Sequence, residues 1–93
     1  MPYAFVRLKV EDYAKWKLVF DQQGPPRQAG GSQGAQILRN ADDPNELLIL
    51  FQWDDLEKLR QFAQSEGPEV RQRGGVTDQP DVYFLEEVEH VPA

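Results

Sequence analysis

The stretch "ILRNADDPNELLILFQWDD", Ile37 to Asp55, reads as a strand, a tight turn, a second strand and the start of a helix. The second strand, Leu47 to Trp53, decides the fold. Leu47, Ile49, Phe51 and Trp53 project one way and Leu48 and Leu50 the other, because side chains alternate across a strand. A strand apolar on both faces has to be covered on both. The turn before it, "ADDPNE", offers Pro44 with its preset dihedral and Asn45, which tolerates the left-handed region. After it, Asp54 and Glu57 have the spacing of a capping box, and Leu56, Leu59, Phe62 and Ala63 give the inner stripe of a helix. Gly67-Pro68 is expected to end that helix, with at most one further turn over Glu69 to Arg73.

Upstream, Tyr3 to Val10 alternates in the period of a half-buried strand. Asp12 can cap a helix whose stripe is Tyr13, Trp16, Val19 and Phe20. Gly24-Pro25-Pro26 is expected to stop that helix or at least bend it, and "RQAGGSQGA" to be a flexible stretch, with "GGSQG" as a hinge, before a strand over Ala35 to Asn40. Val82 to Val88 alternates as a last strand, and the tail "EHVPA" is expected to be mobile or to cross to a neighbour. The order strand, helix, strand, strand, helix, strand predicts an α+β, ferredoxin-like βαββαβ domain spanning residues 1–93. Right-handed crossovers put two helices on one face of a four-stranded antiparallel sheet, with the first and third strands central. Two helices cover only one face. Tyr3, Phe5, Leu48, Leu50, Tyr83 and Leu85 would leave on the order of several hundred Å² of apolar surface on the other, more than a monomer usually keeps wet. A homodimer closing sheet against sheet, a homodimeric α/β barrel, is the expected remedy.

Composition narrows the function. The chain has 93 residues, 40% hydrophobic and 28% charged, which suits a soluble globule, and no run approaches the ~20 apolar residues of a membrane span. Without a basic-then-apolar leader at the N-terminus, the cytoplasm is the expected location. The net charge of -6 and the scattering of the 10 basic residues argue against nucleic acid. There is no cysteine and one histidine, so thiolate chemistry, disulfides and nitrogen- or sulfur-ligated metals are not expected, and nothing in the sequence asks for a cofactor. "GGSQG" lacks the lysine of a phosphate-binding loop, and Asp42-Asp43 lacks the ligand spacing of a calcium loop.

The segments "VEDYAKWKLVFD", "RNADDPNELLILFQWDDLEKLRQFAQS" and "GVTDQPDVYFLEEV", with the motifs D-Y-x-x-W-x-x-x-F and F-x-W-D-D-L-E-K, resemble small proteins of the dimeric α/β-barrel superfamily. The resemblance is to its cyclase-like and antibiotic-biosynthesis-monooxygenase-like branch. It implies a sheet-to-sheet homodimer with a small-molecule cavity between each sheet and its helices, and cofactor-free chemistry on hydrophobic, aromatic or polyketide-like compounds. Similar proteins often carry a histidine near the end of the first helix, where this chain has Gln23, and a continuous helix where it has Gly24-Pro25-Pro26.

Candidate site residues follow. Tyr13, Trp16, Phe20 and Trp53 could line a pocket for a flat ligand, since rings give contact area with few rotamers to freeze; core packing is the plainer reading. Arg39, at the end of the second strand, could orient a carbonyl or enolate, or simply charge an edge strand against aggregation. His90, the one side chain of a type that titrates near neutral pH, sits in the tail, where an exposed and inert histidine is the plainer reading. No residue emerges as the owner of proton abstraction. The alternatives to an enzyme are a non-catalytic ligand-binding or dimerisation module, and a tautomerase using Pro2, whose secondary amine would have to be free.

Overall fold

The computed structural model describes residues 2–93. Strand β1 (Pro2–Lys9) leads into α1 (Tyr13–Gln22), α2 (Gly24–Gly30), β2 (Ser32–Asn40), β3 (Asp43–Trp53), α3 (Leu56–Arg73) and β4 (Asp81–Glu86). The sheet runs β2-β3-β1-β4 and every neighbouring pair is antiparallel, which makes the fold α+β and ferredoxin-like with β1 and β3 central, as the sequence pattern predicts.

Burial follows the strand alternation. Ala4, Leu8, Leu47, Ile49 and Trp53 are buried under Trp16 and Phe20 of α1 and Leu59 of α3. The opposite face carries no helix. The register Tyr3↔Leu85, Phe5↔Tyr83, Phe5↔Leu50 and Leu38↔Leu48 gathers these residues there, and Leu38, Tyr83 and Leu85 are exposed. Arg7 shares this face and ties its end together, reaching Glu46 at 3.3 Å, Asp78 at 3.0 Å and Asp81 at 2.6 Å.

Four local expectations are corrected. α1 does end before Gly24-Pro25-Pro26, as expected, but helical structure resumes at once: these residues begin α2, with prolines at its second and third positions, where a missing N–H removes no intrahelical bond. "GGSQG" is therefore not a hinge. Gly31, at φ +118°, ends α2 in the left-handed region, and β2 starts one residue later, with a bulge at Gly34. Gly67-Pro68 does not end α3, which continues to Arg73 despite the proline, because this segment packs over the sheet. The turn between β2 and β3 is not at Pro44 and Asn45. Asn40 pairs with Asp43, leaving Ala41 and Asp42 as the loop, while Glu46 pairs with Lys9 of β1 and the Asn45 carbonyl accepts from Val10 N at 2.9 Å. Pro44 falls where the register slips, so its absent N–H takes no ladder bond. The cap of α3 is one residue later than the capping-box reading: Asp55 accepts from Lys58 N at 3.0 Å, and Asp54 pairs with the Lys58 ammonium. Residues 87–93 have no regular structure and are exposed, His90 among them. Among the described residues, no helix is long and apolar enough to cross a membrane.

Candidate functional site

Between the helix-covered face of the sheet and the helices lies a cavity of about 140 Å³. Its floor is Ala4, Val6 and Leu8 of β1 with Ile49, Phe51 and Trp53 of β3; its roof is Trp16 and Phe20 of α1 with Leu59, Phe62, Ala63 and Val70 of α3. Pro80 and Val82 close the side toward β4. The volume is close to the ~150 Å³ of an engineered apolar cavity that takes up benzene, so the space fits about one aromatic ring.

Aromatic contacts give this space its shape. Trp16 and Phe20 lie 4.9 Å apart between ring centroids and Phe20 and Phe51 6.0 Å apart, while Trp53 and Phe62 lie 5.1 Å apart. Trp53 is locked further: its indole N–H donates to the Gly30 carbonyl at 2.9 Å, joining the end of β3 to the end of α2. Gly31 must remain small here, since a Cβ would come 2.9 Å from Trp53 Nε1. At the other end Gly74 abuts Trp16, where a Cβ would stand 3.0 Å from the ring.

The polar part of the lining is small. Among the described residues, Gln23, Arg27, Glu66 and Arg71 are its only hydrogen-bonding or charged side chains apart from the indoles. Gln23 occupies the junction of α1 and α2, and its Oε1 is buried with no hydrogen-bond partner among the described residues. Arg27 follows one turn on, its backbone N bonding to Gln23 O at 3.0 Å. Its guanidinium lies 3.8 Å from the centre of the Phe20 ring and donates to the Phe20 carbonyl at 2.8 Å. Burial pushes the Arg27 pKa down, and the charge of Asp21 partly offsets this. A second, open and more polar recess lies on the outer side of the same two residues, lined by Phe20 and Arg27 with Gly24, Gln28 and Ser32–Ala35.

Of the residues singled out from sequence, Trp16, Phe20 and Trp53 line the cavity. Tyr13 and Arg39 do not. They stack on each other outside it, the guanidinium carbon 4.9 Å from the Tyr13 ring centre, with Tyr13 packed against the edge of the core. Pro2 opens β1 opposite Glu86 and is not part of the lining. Sequence reasoning missed Arg27, and noted Gln23 only as a departure from similar proteins. The available signal was the spacing of Phe20 and Arg27, seven positions or two helical turns, which matters only once the prolines are read as a helix start.

The same fold occurs in solved structures of other small proteins, several of them described as antibiotic biosynthesis monooxygenases. SnoaB, a cofactor-independent oxygenase from Streptomyces nogalater, superposes with a TM-score of 0.75 at 19% identity, covering 99% of this chain and 98% of that one. A candidate antibiotic biosynthesis monooxygenase from Bordetella bronchiseptica gives 0.77 at 18% identity, over 95% and 97% of the two chains. Rv0793 from Mycobacterium tuberculosis gives 0.71 at 19%, over 99% and 100%. At such identities the likeness is one of fold. In sequence, the chain matches no family model and no curated protein.

Proposed function

We propose that this chain is a small-molecule enzyme or binder of the cyclase or cofactor-independent monooxygenase kind, holding a hydrophobic, ring-bearing compound between sheet and helices. The observation that carries this reading is the cavity of about 140 Å³, walled by Trp16, Phe20, Phe51 and Trp53 and given a polar end by Gln23 and Arg27. Apolar walls with a few convergent polar groups are the usual make-up of a small-molecule site. The likeness to SnoaB supports it at the level of fold, which by itself does not carry chemistry. A polycyclic polyketide would exceed a space of about 140 Å³ and would extend out through its open side; a single ring would not.

Non-catalytic binding is the second reading. It is favoured by the lining itself, where, among the described residues, Glu66 is the only carboxylate and no histidine is present. Tryptophan fluorescence, read while a panel of mono- and polycyclic aromatic compounds is added, tests the site, because Trp16 and Trp53 both touch the cavity. Quenching or a shift with a subset of the panel is expected, and no response to any compound would overturn the site. Oxygen uptake and product formation with the responding compounds then separate enzyme from binder.

The same proposal includes a twin subunit. The helix-free face, with Tyr3, Phe5, Leu48, Leu50, Tyr83 and Leu85, is an apolar surface suited to its own copy, so that each sheet closes the other's core. The chain exposes 6006 Å², against about 5,500 Å² for an average monomer of its mass.

A further inference from the structure

Arg27 differs from the arginines that this chain keeps in ion pairs. Arg7 is ringed by three carboxylates and Arg73 reaches Glu69, whereas Arg27 makes no ion pair among the described residues. Asp21, the carboxylate whose charge reaches it, is held by Lys17 at 2.6 Å. Arg27 is nevertheless half-buried, with one carbonyl and one ring for company. A guanidinium has five N–H donors in a planar fork, and the Phe20 carbonyl uses one of them. One turn before it, Gln23 Oε1 is also buried and unpartnered. Both line the ring-sized cavity, and the helical bond from Arg27 N to Gln23 O sets their side chains off from neighbouring turns. The charged groups of the lining sum to two cations, Arg27 and Arg71, against Glu66, in a chain whose net charge is -6.

We propose that Gln23 and Arg27 form a paired receptor for the oxygenated end of the ligand, which makes the ligand a ring-sized aromatic acid with a hydroxyl beside its carboxylate. Arg27 takes the carboxylate through its free fork, the geometry in which arginine binds carboxylates most strongly. Gln23 Oε1 accepts from the hydroxyl, filling the buried acceptor that the fold leaves open. The apolar walls take the ring. This rests on the site proposed above and adds its charge and its hydrogen-bond polarity.

Calorimetric titration of the full chain at pH 7 with 2-hydroxybenzoate, benzoate and benzamide tests it. Benzamide keeps the ring and shape of benzoate without the charge. Benzoate is expected to bind at least about tenfold more tightly than benzamide, and 2-hydroxybenzoate several-fold more tightly than benzoate. Arg27→Gln should remove the first difference and Arg27→Lys should retain part of it, while Gln23→Leu should remove the second. Benzamide binding as tightly as benzoate overturns the proposal without any variant, so a poorly folding variant does not rescue it. The two failures are distinguishable: if neutral aromatic compounds shift tryptophan fluorescence and the acids have no advantage, the site stands and the receptor does not. If no aromatic compound binds, both fall.

Discussion

Gly31 stands where three elements meet. Its φ of +118° lies in a region that side-chain-bearing residues rarely adopt, its carbonyl accepts from Asp54 N at 3.1 Å, and a Cβ would run into Asp54 and Trp53. Gly31→Ala is expected to cost about 2–3 kcal/mol, combining backbone strain with a displaced indole. Urea unfolding followed by tryptophan emission would measure it, and an unchanged midpoint would mean that Trp53 is not held as described. Asp78 governs a different property. Burial alone would push its carboxyl up, but the Lys9 amide and the Arg7 guanidinium outweigh it and hold the pKa below its usual 3.8. Asp43 is lowered too, first by the Asn45 amide and then by Lys9. A carboxyl lowered on folding adds stability above its ordinary pKa and loses it as pH falls through the folded value. Lys9 is raised, chiefly by Asp43, so its part is complete below 10.5 and is lost as pH climbs past that value. The network is thus whole from about pH 5 to pH 9 and decays below about pH 4. Asp78→Asn should lower stability at pH 7 and flatten the acid limb below pH 4, as denaturant midpoints at pH 7 and pH 3 would show; an acid limb as steep as that of the parent chain would contradict the assignment.

At the level of elements, α3 carries a built-in weakness. Gly67 and Pro68 sit inside it, the one adding backbone freedom and the other withholding an N–H from the helical ladder. Glycine suits the position before Pro68, whose ring would crowd a Cβ there in a helical backbone. Pro68→Ala, which restores the missing N–H, is therefore expected to stabilise by about 1–3 kcal/mol, raising the melting temperature by at least roughly 4 °C for a domain of this size. A fall in melting temperature would mean that this part of α3 is not helical in solution. Glycine and proline together read as a stop because their local preferences point that way, and only packing over the sheet overrides them. The prolines after Gly24 do mark the end of α1, but their ring geometry also serves a helix start, and α2 begins on them. By contrast the two-sided apolar pattern of β3 and the stripe of Tyr13, Trp16 and Phe20 were legible, because alternation and helical period are properties of the chain itself. Trp16, Phe20 and Trp53, which line the cavity, were singled out for that reason. Arg27 was not, because its place at the cavity depends on the bend at Gln23, which no periodicity announces.

The whole molecule is a slab of 34 × 33 × 20 Å, one layer of helices on one layer of sheet. The bare side of that slab is where a second subunit would sit. Sedimentation equilibrium at micromolar concentration is expected to give twice the chain mass, and Leu50→Glu, near the middle of the bare face opposite Phe5, is expected to shift it toward the single chain. A well-folded single subunit at these concentrations would refute the twin arrangement, while leaving the cavity, which lies on the other face, untouched.

Pro2 stands opposite Glu86 in the ladder that joins β1 to β4. The start of β1 and the end of β4 therefore lie side by side in the sheet, while the two-residue loop Ala41–Asp42 lies between strands of the other half. A linker from the end of β4 to the start of β1 could close the domain, and the chain could be reopened at that loop with every strand neighbour preserved. The order in which the protein is written is thus separable from the shape it takes.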